Sequence, residues 1–279
     1  MKKINFTKMQ SLGNDFVIID QIKSTLKINK NYIKKIASRN YGIGCDQVLV
    51  LEKSNKKNIQ FKYKIYNQDG SESGQCGNGA KCVAKYYFDK YGKSKKEINI
   101  ETISNKMSLK IIKNNFYEVD MGVPSFKYID SKINLKKFPK NNIFVFNKKK
   151  YSFSWLSIGN PHAIFLIKNI NKIDFLQFSN KFNLKNYFSD GVNISIIEKL
   201  KDNTYKARIF ERGVGETLSC GSAACAITVF AMQKSKNFNK HYIYMHGGKA
   251  EVKWNGINKK SVFLLGTGEY VYEGQYIIK

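Results

Sequence analysis

Asn67-Gln-Asp-Gly-Ser-Glu-Ser-Gly-Gln-Cys76-Gly77-Asn78-Gly-Ala-Lys-Cys82 and, 144 residues further on, Glu211-Arg212-Gly-Val-Gly-Glu-Thr-Leu-Ser-Cys220-Gly221-Ser222-Ala-Ala-Cys225 are two versions of one pattern. Each is a turn rich in Gly and small polar residues, then Cys-Gly, then small residues opening an apolar stretch. The correspondence continues outward. Lys64-Ile-Tyr-Asn67 matches Arg208-Ile-Phe-Glu211 at the same offset of 144, and Met121-Gly122 falls opposite Leu265-Gly266. Upstream, Ser11-Leu-Gly-Asn14 matches Ser157-Ile-Gly-Asn160, and Gln47-Val-Leu-Val-Leu-Glu52 matches Asn193-Ile-Ser-Ile-Ile-Glu198, both at an offset of 146. Landmarks in one order, drifting by two residues, indicate a duplicated unit.

The expected architecture is α+β, with two homologous pseudo-symmetric lobes, each a β-sheet or barrel wrapped around a central helix. Residues 1–120 with 266–279 form the N-terminal lobe and residues 121–265 the C-terminal lobe, and the active site lies in the cleft between them. Runs rich in β-branched and aromatic residues predict strands over 16–20, 48–51 and 61–66, and over 163–167, 192–197 and 205–210. The helices are predicted over 77–89, where Ala80, Val83, Ala84, Tyr87 and Phe88 recur at helical spacing, and over 221–234, where Ala224, Ile227, Thr228, Ala231 and Met232 do. The tail after Gly266 is left over and is expected to pair back onto the first half.

Composition restricts the function classes. No apolar run approaches the roughly 20 residues of a bilayer span, and Met1 to Phe16 lacks the apolar core of a signal peptide; a soluble, cytoplasmic protein is expected, without a membrane role. The five cysteines are odd in number, contain no C-x-x-C pair and do not cluster with the three histidines, so neither a disulfide framework nor a metal site is expected. The formal charge of +27 suggests nucleic acid, but the lysines are scattered through loops and helix surfaces with no recognition motif, so no specific nucleic-acid partner is expected.

Cys76 and Cys220 carry the chemical signal. A helix N-terminus holds about half a positive charge and unpartnered backbone amides. It stabilises a thiolate, so both thiols are expected to have a lowered pKa, and it binds anions such as a carboxylate. Two such ends facing one cleft meet the needs of two-base stereoinversion: one thiolate removes an α-proton, and the opposed thiol protonates the other face. Cys82 and Cys225, inside the helices, read as packing thiols, and Cys45 as a bystander.

Phe6-Thr-Lys-Met-Gln-Ser-Leu-Gly-Asn14-Asp-Phe, Gly42-Ile-Gly-Cys-Asp-Gln47, Gly159-Asn-Pro-His162-Ala, Gly191-Val-Asn193 and the two cysteine motifs together resemble the diaminopimelate epimerases, nearly end to end. The resemblance implies epimerisation of LL- to meso-diaminopimelate with no cofactor and no metal. Cys76 and Cys220 would be the acid/base pair, with His162 and Glu211 tuning their protonation. Asn14, Gln47, Asn67, Asn160, Asn193, Glu211 and Arg212 would line the substrate site, and Gly77, Asn78, Gly221 and Ser222 would offer amides to the reacting carboxylate. A homodimer is implied, with Tyr272 a candidate contact. Ser222-Ala223 replaces the more usual Thr-Gly, and Lys81 stands where Arg is usual. Other readings remain open: Asn14 and Asn160 as turn caps, His162 as a satisfied core group, Glu211-Arg212 as a surface pair. A proline-racemase-type enzyme and an isomerase of the same fold lacking the cysteines are the rivals, with a basic nucleic-acid-binding protein the rival of another class.

Overall fold

A computed structural model describes residues 2–24, 28–92, 95–257 and 259–278. The chain divides into two compact units, Met1–Asp120 with Leu265–Lys279, and Met121–Leu264.

In the first unit, strand Lys2–Ser11 pairs antiparallel with the C-terminal strand Glu269–Ile278 and with Asn14–Gln21. The tight connection from Lys2–Ser11 to Asn14–Gln21 passes through Gly13 at φ +77°, which a side chain would strain. Asn14–Gln21 then runs parallel to Gln47–Glu52. A parallel pair needs a crossover, and the crossover here contains helix α1, Lys30–Ala37. Asn29 caps α1 by accepting from the Tyr32 N–H, and Ile33, Ile36 and Ala37 form its buried stripe. Gln47–Glu52 pairs antiparallel with Lys62–Asn67, and a second crossover, helix α2 over Gly77–Lys90, leads to Glu97–Glu101 parallel to that strand and a hairpin ending at Asp120.

The second unit repeats the plan. Ser154–Ser157 and Pro161–Leu166 form the opening hairpin, turning at Gly159 with φ +76°. Helix α3, Phe175–Asn183, fills the crossover to Asn193–Lys201, and helix α4, Gly221–Ser235, the crossover from Thr204–Glu211 to His241–Met245. The sequence reading placed one helix in each unit; α1 and α3 add a second.

Alternation of side chains sends the two helices of each unit to opposite sheet faces. Val17, Ile19, Val48 and Val50 pack with the α1 stripe. Ala163, Phe165, Ile194 and Ile196 pack with Phe175, Phe178 and Phe182 of α3 in a core dominated by phenylalanine. The other helix of each pair is central: α2 touches the strands Lys2–Ser11, Asn14–Gln21, Lys106–Lys113 and Phe116–Asp120, and α4 touches five strands of its own unit. Apolar residues on all sides suit that enclosure. Both α2 and α4 are buried around most of their girth.

Candidate active site

In the first unit the predicted residues gather at the strand ends and at the start of α2. Asn14 opens its strand, and its Nδ2 donates to Asp46 Oδ2 at 2.7 Å. A carboxylate only accepts, so the amide must turn its nitrogen to Asp46. Arg39 holds Asp46 from the other side at 2.8 Å. Gln47 and Asn67 face each other across paired strands, Gln47 Nε2 donating to Asn67 Oδ1 at 2.9 Å, and Asn67 Nδ2 donates to Ser71 Oγ at 3.0 Å.

The short strand Glu72–Ser73 returns the chain to this edge, and Cys76 follows as the N-cap of α2. Its Sγ accepts the Gly79 N–H at 3.4 Å, and its carbonyl accepts the Tyr63 hydroxyl at 3.3 Å. Cys76 is half-buried, and Gly77 and Asn78 form the buried first turn.

The second unit sets out the equivalent pieces with different chemistry. His162 occupies the register position that Phe16 has in the first unit. It is wholly buried, its Nε2 donates to Asn160 Oδ1 at 3.0 Å, and burial pushes its pKa down to about 3, so the ring is neutral at working pH. Asn193 accepts the Arg212 N–H at 2.9 Å, and the Arg212 guanidinium donates to the Asp190 carbonyl at 3.0 Å. Glu211 ends its strand, taking the Thr217 hydroxyl at 2.7 Å. Cys220 is the N-cap of α4, with Ser222 Oγ 3.4 Å from its sulfur.

The expectation of a lowered thiol pKa is corrected at Cys220. Burial first, then the charge of the neighbouring Glu211 carboxylate, push this thiol well above its ordinary value. The Ser222 hydroxyl and the Ala223 amide act the other way and lose, while a hydrogen bond to Glu211 adds to the rise by favouring the protonated thiol. Desolvation opposes a buried charge more strongly than one helix end favours it, so Cys220 carries its proton. Cys45 is also pushed up, to about 12, chiefly by burial.

Asp46, Ser71 and Thr217, which orient Asn14, Asn67 and Glu211, were not singled out from sequence. Each lies within a quoted motif, but its type and spacing alone do not mark it. Tyr272 lies on Glu269–Ile278, part-exposed, with Phe6 edge-on at 5.8 Å. Among the described residues, no group of three or more His, Cys, Asp or Glu could hold a metal ion, and no helix is long and apolar enough to cross a membrane.

A family profile described as diaminopimelate epimerase matches residues 6–127 and 154–272. The diaminopimelate epimerase of Buchnera aphidicola subsp. Baizongia pistaciae is 35% identical, with 99% of this chain and 96% of that protein covered. That of Carboxydothermus hydrogenoformans is 34% identical over 99% of this chain and all of the other. Among solved structures, a Bacillus anthracis phenazine biosynthesis protein of the PhzF family superposes with a TM-score of 0.73 at 17% identity, each chain fully covered. A hydroxyproline epimerase from Agrobacterium vitis gives 0.70 at 12%, with 99% of this chain and 91% of that chain covered. At such identities the structures speak to the fold alone.

Proposed function

This chain belongs to the diaminopimelate epimerase family, and on that footing we propose that it interconverts LL- and meso-diaminopimelate without a cofactor, Cys76 and Cys220 exchanging the α-proton. The observation that carries the reading is the repeated half-site, each copy ending in a cysteine at the N-cap of a buried helix.

Inverting an α-carbon takes a proton from one face and returns one to the other. Cys220, protonated in the resting chain, is the donor. Cys76, half-buried, with its sulfur accepting an amide, is the base for that direction. After turnover the roles are exchanged, and the reverse reaction uses them so. No electron leaves the substrate: one C–H bond breaks, another forms, and the pair between them spreads into the α-carboxylate. The amides of Gly77, Asn78, Gly221 and Ser222, at the positive ends of α2 and α4, are assigned to that carboxylate.

The unreacting end of the substrate also carries charge. Arg212 is assigned to the distal carboxylate, where its planar fork fits. Asn14, turned by Asp46 to offer its oxygen, accepts from an ammonium. Gln47, Asn67, Asn160 and Asn193 supply neutral donors and acceptors, while His162 and Glu211 set the proton balance. Glu211 and Arg212 favour a substrate with a charged far end over proline. The enzyme is assigned to the cytoplasm as a homodimer, with part-exposed Tyr272 a contact.

Cys76→Ala and Cys220→Ala are each expected to lower LL-to-meso conversion by roughly a thousandfold or more, as loss of an acid or base does, with the fold retained by circular dichroism. Near-wild-type turnover in both variants rejects the reading.

A further inference from the structure

Thr217 closes the short strand Gly215–Thr217, which pairs with the end of Thr204–Glu211 in the register Ile209↔Thr217 and Glu211↔Gly215. This places its hydroxyl 2.7 Å from Glu211 Oε1, as donor to an acceptor. Three residues later the chain reaches Cys220, whose thiol meets the same carboxylate. Glu211 is thus held between two donors, an alcohol on one side and a thiol on the other.

The first unit lacks this arrangement. The position equivalent to Glu211 is Asn67, a neutral amide, and its hydroxyl partner is Ser71. The position equivalent to Thr217 is Ser73, whose hydroxyl donates to the Gln75 carbonyl at 3.3 Å. Only the half with a carboxylate beside its cysteine turns this hydroxyl onto the carboxylate. A hydroxyl has one proton to give; given to Oε1, it favours the ionised acid over the protonated one. The β-branch of threonine restricts χ1, so the donor is held in place.

We propose that Thr217 is a positioning residue for proton transfer at Cys220, holding Glu211 as an ionised acceptor aimed at the thiol. The proposal rests on the two-cysteine reading above. The ionised carboxylate then takes the hydrogen bond of the Cys220 thiol in the resting protein and orients its proton.

The other charged or titratable groups around Glu211 are distinct from it. Arg212, next in the chain, donates to the Asp190 carbonyl. His162, in the parallel strand beyond Asn193, is neutral down to about pH 3 because it is buried. Glu216 points away, gripped at both oxygens by Arg208 and with His246 at 3.6 Å. Cys220 on α4 stays a thiol well above neutral pH.

The test is kcat/KM for LL-diaminopimelate against pH in wild type, Thr217→Val, Thr217→Ser and Cys220→Ala. On this proposal Glu211 must be ionised for turnover, so beside the limb of the Cys76 base its protonation contributes an acid limb of its own. Thr217→Val is expected to move that limb upward by about one pH unit, a tenfold change in proton affinity, while Thr217→Ser leaves it in place. A limb at the wild-type position in Thr217→Val overturns the inference, however much activity is lost. Should the valine variant not fold, Thr217→Ala supplies the same readout. Activity retained in Cys220→Ala overturns the two-cysteine reading itself, whereas an inactive Cys220→Ala with an unmoved valine limb overturns only the role of Thr217.

Discussion

Gly79→Ala puts two opposing effects on the first turn of α2. Replacing glycine by alanine inside a helix stabilises it by up to about 1 kcal/mol. Against this, a Cβ at position 79 would lie 2.4 Å from the Tyr63 hydroxyl, 3.1 Å from Leu49 Cδ1 and 3.3 Å from Cys76 Sγ. The first contact must open by roughly 1 Å to reach ordinary van der Waals separation. Tyr63 has little room to retreat, being 1% exposed. Overpacking of this kind costs about 1–3 kcal/mol, so the net change is a loss of about 0–3 kcal/mol. The activity loss should be larger. Either the ring or the helix start moves, and both are tied to Cys76, since Tyr63 donates to its carbonyl and the residue 79 amide to its sulfur. A 1 Å misplacement of a reacting group costs up to about a hundredfold. Urea denaturation and steady-state turnover measure the two effects. Tyr63→Phe gives up the hydroxyl hydrogen bond, worth about 1 kcal/mol, but relieves the worst contact, so Gly79→Ala/Tyr63→Phe should be more active than Gly79→Ala. A stabilised, fully active Gly79→Ala, or a double variant no better than the single one, refutes the packing argument.

Glu211→Gln removes the carboxylate charge that helps hold Cys220 up, so the pH at which this thiol reacts with a small alkylating agent should fall; burial, the largest cause, remains, so the fall is partial. An unchanged alkylation profile would show that Glu211 does not act on this sulfur. Asp15 gives a pH dependence of stability in the first unit. Burial would raise its pKa, but hydrogen bonds from Arg39 and Lys8 outweigh burial and bring it to about 2. A depressed carboxylate contributes stability that is full above its unfolded pKa, about 4, and is lost as pH falls through the folded value. The urea midpoint of the wild type should therefore drop between about pH 4 and pH 2, and the drop should be shallower in Asp15→Asn; equal slopes contradict the ion-pair account.

The sequence made α2, α4 and the inner strands legible because the duplication offered each segment twice. An ambiguous run such as Gln47-Val-Leu-Val-Leu-Glu52 gained support from Asn193-Ile-Ser-Ile-Ile-Glu198. Helices α1 and α3 escaped because they are short and their sequences differ. Yet Asp174 as cap, with Phe175, Phe178 and Phe182 on one stripe, is a readable signal for α3. The two cysteines could be found because their type and mirrored spacing are chemically unusual. Thr217 and Asp46 could not, since a hydroxyl or carboxylate acquires a role only from the neighbour that folding places beside it. The state of the Cys220 thiol was misread for a related reason. The helix end is a local feature that sequence reveals, while burial and the Glu211 carboxylate are tertiary and outweigh it.

The exchange of an α-proton with solvent is the step on which all else depends, and isotope incorporation reads it directly. Purified protein, LL-diaminopimelate and deuterated water, with no cofactor added, should yield meso-diaminopimelate carrying one α-deuterium at the inverted centre, with the distal α-hydrogen retained. At early conversion, before reversal can label the second, equivalent centre, product without deuterium or a requirement for added pyridoxal phosphate would contradict the two-cysteine account.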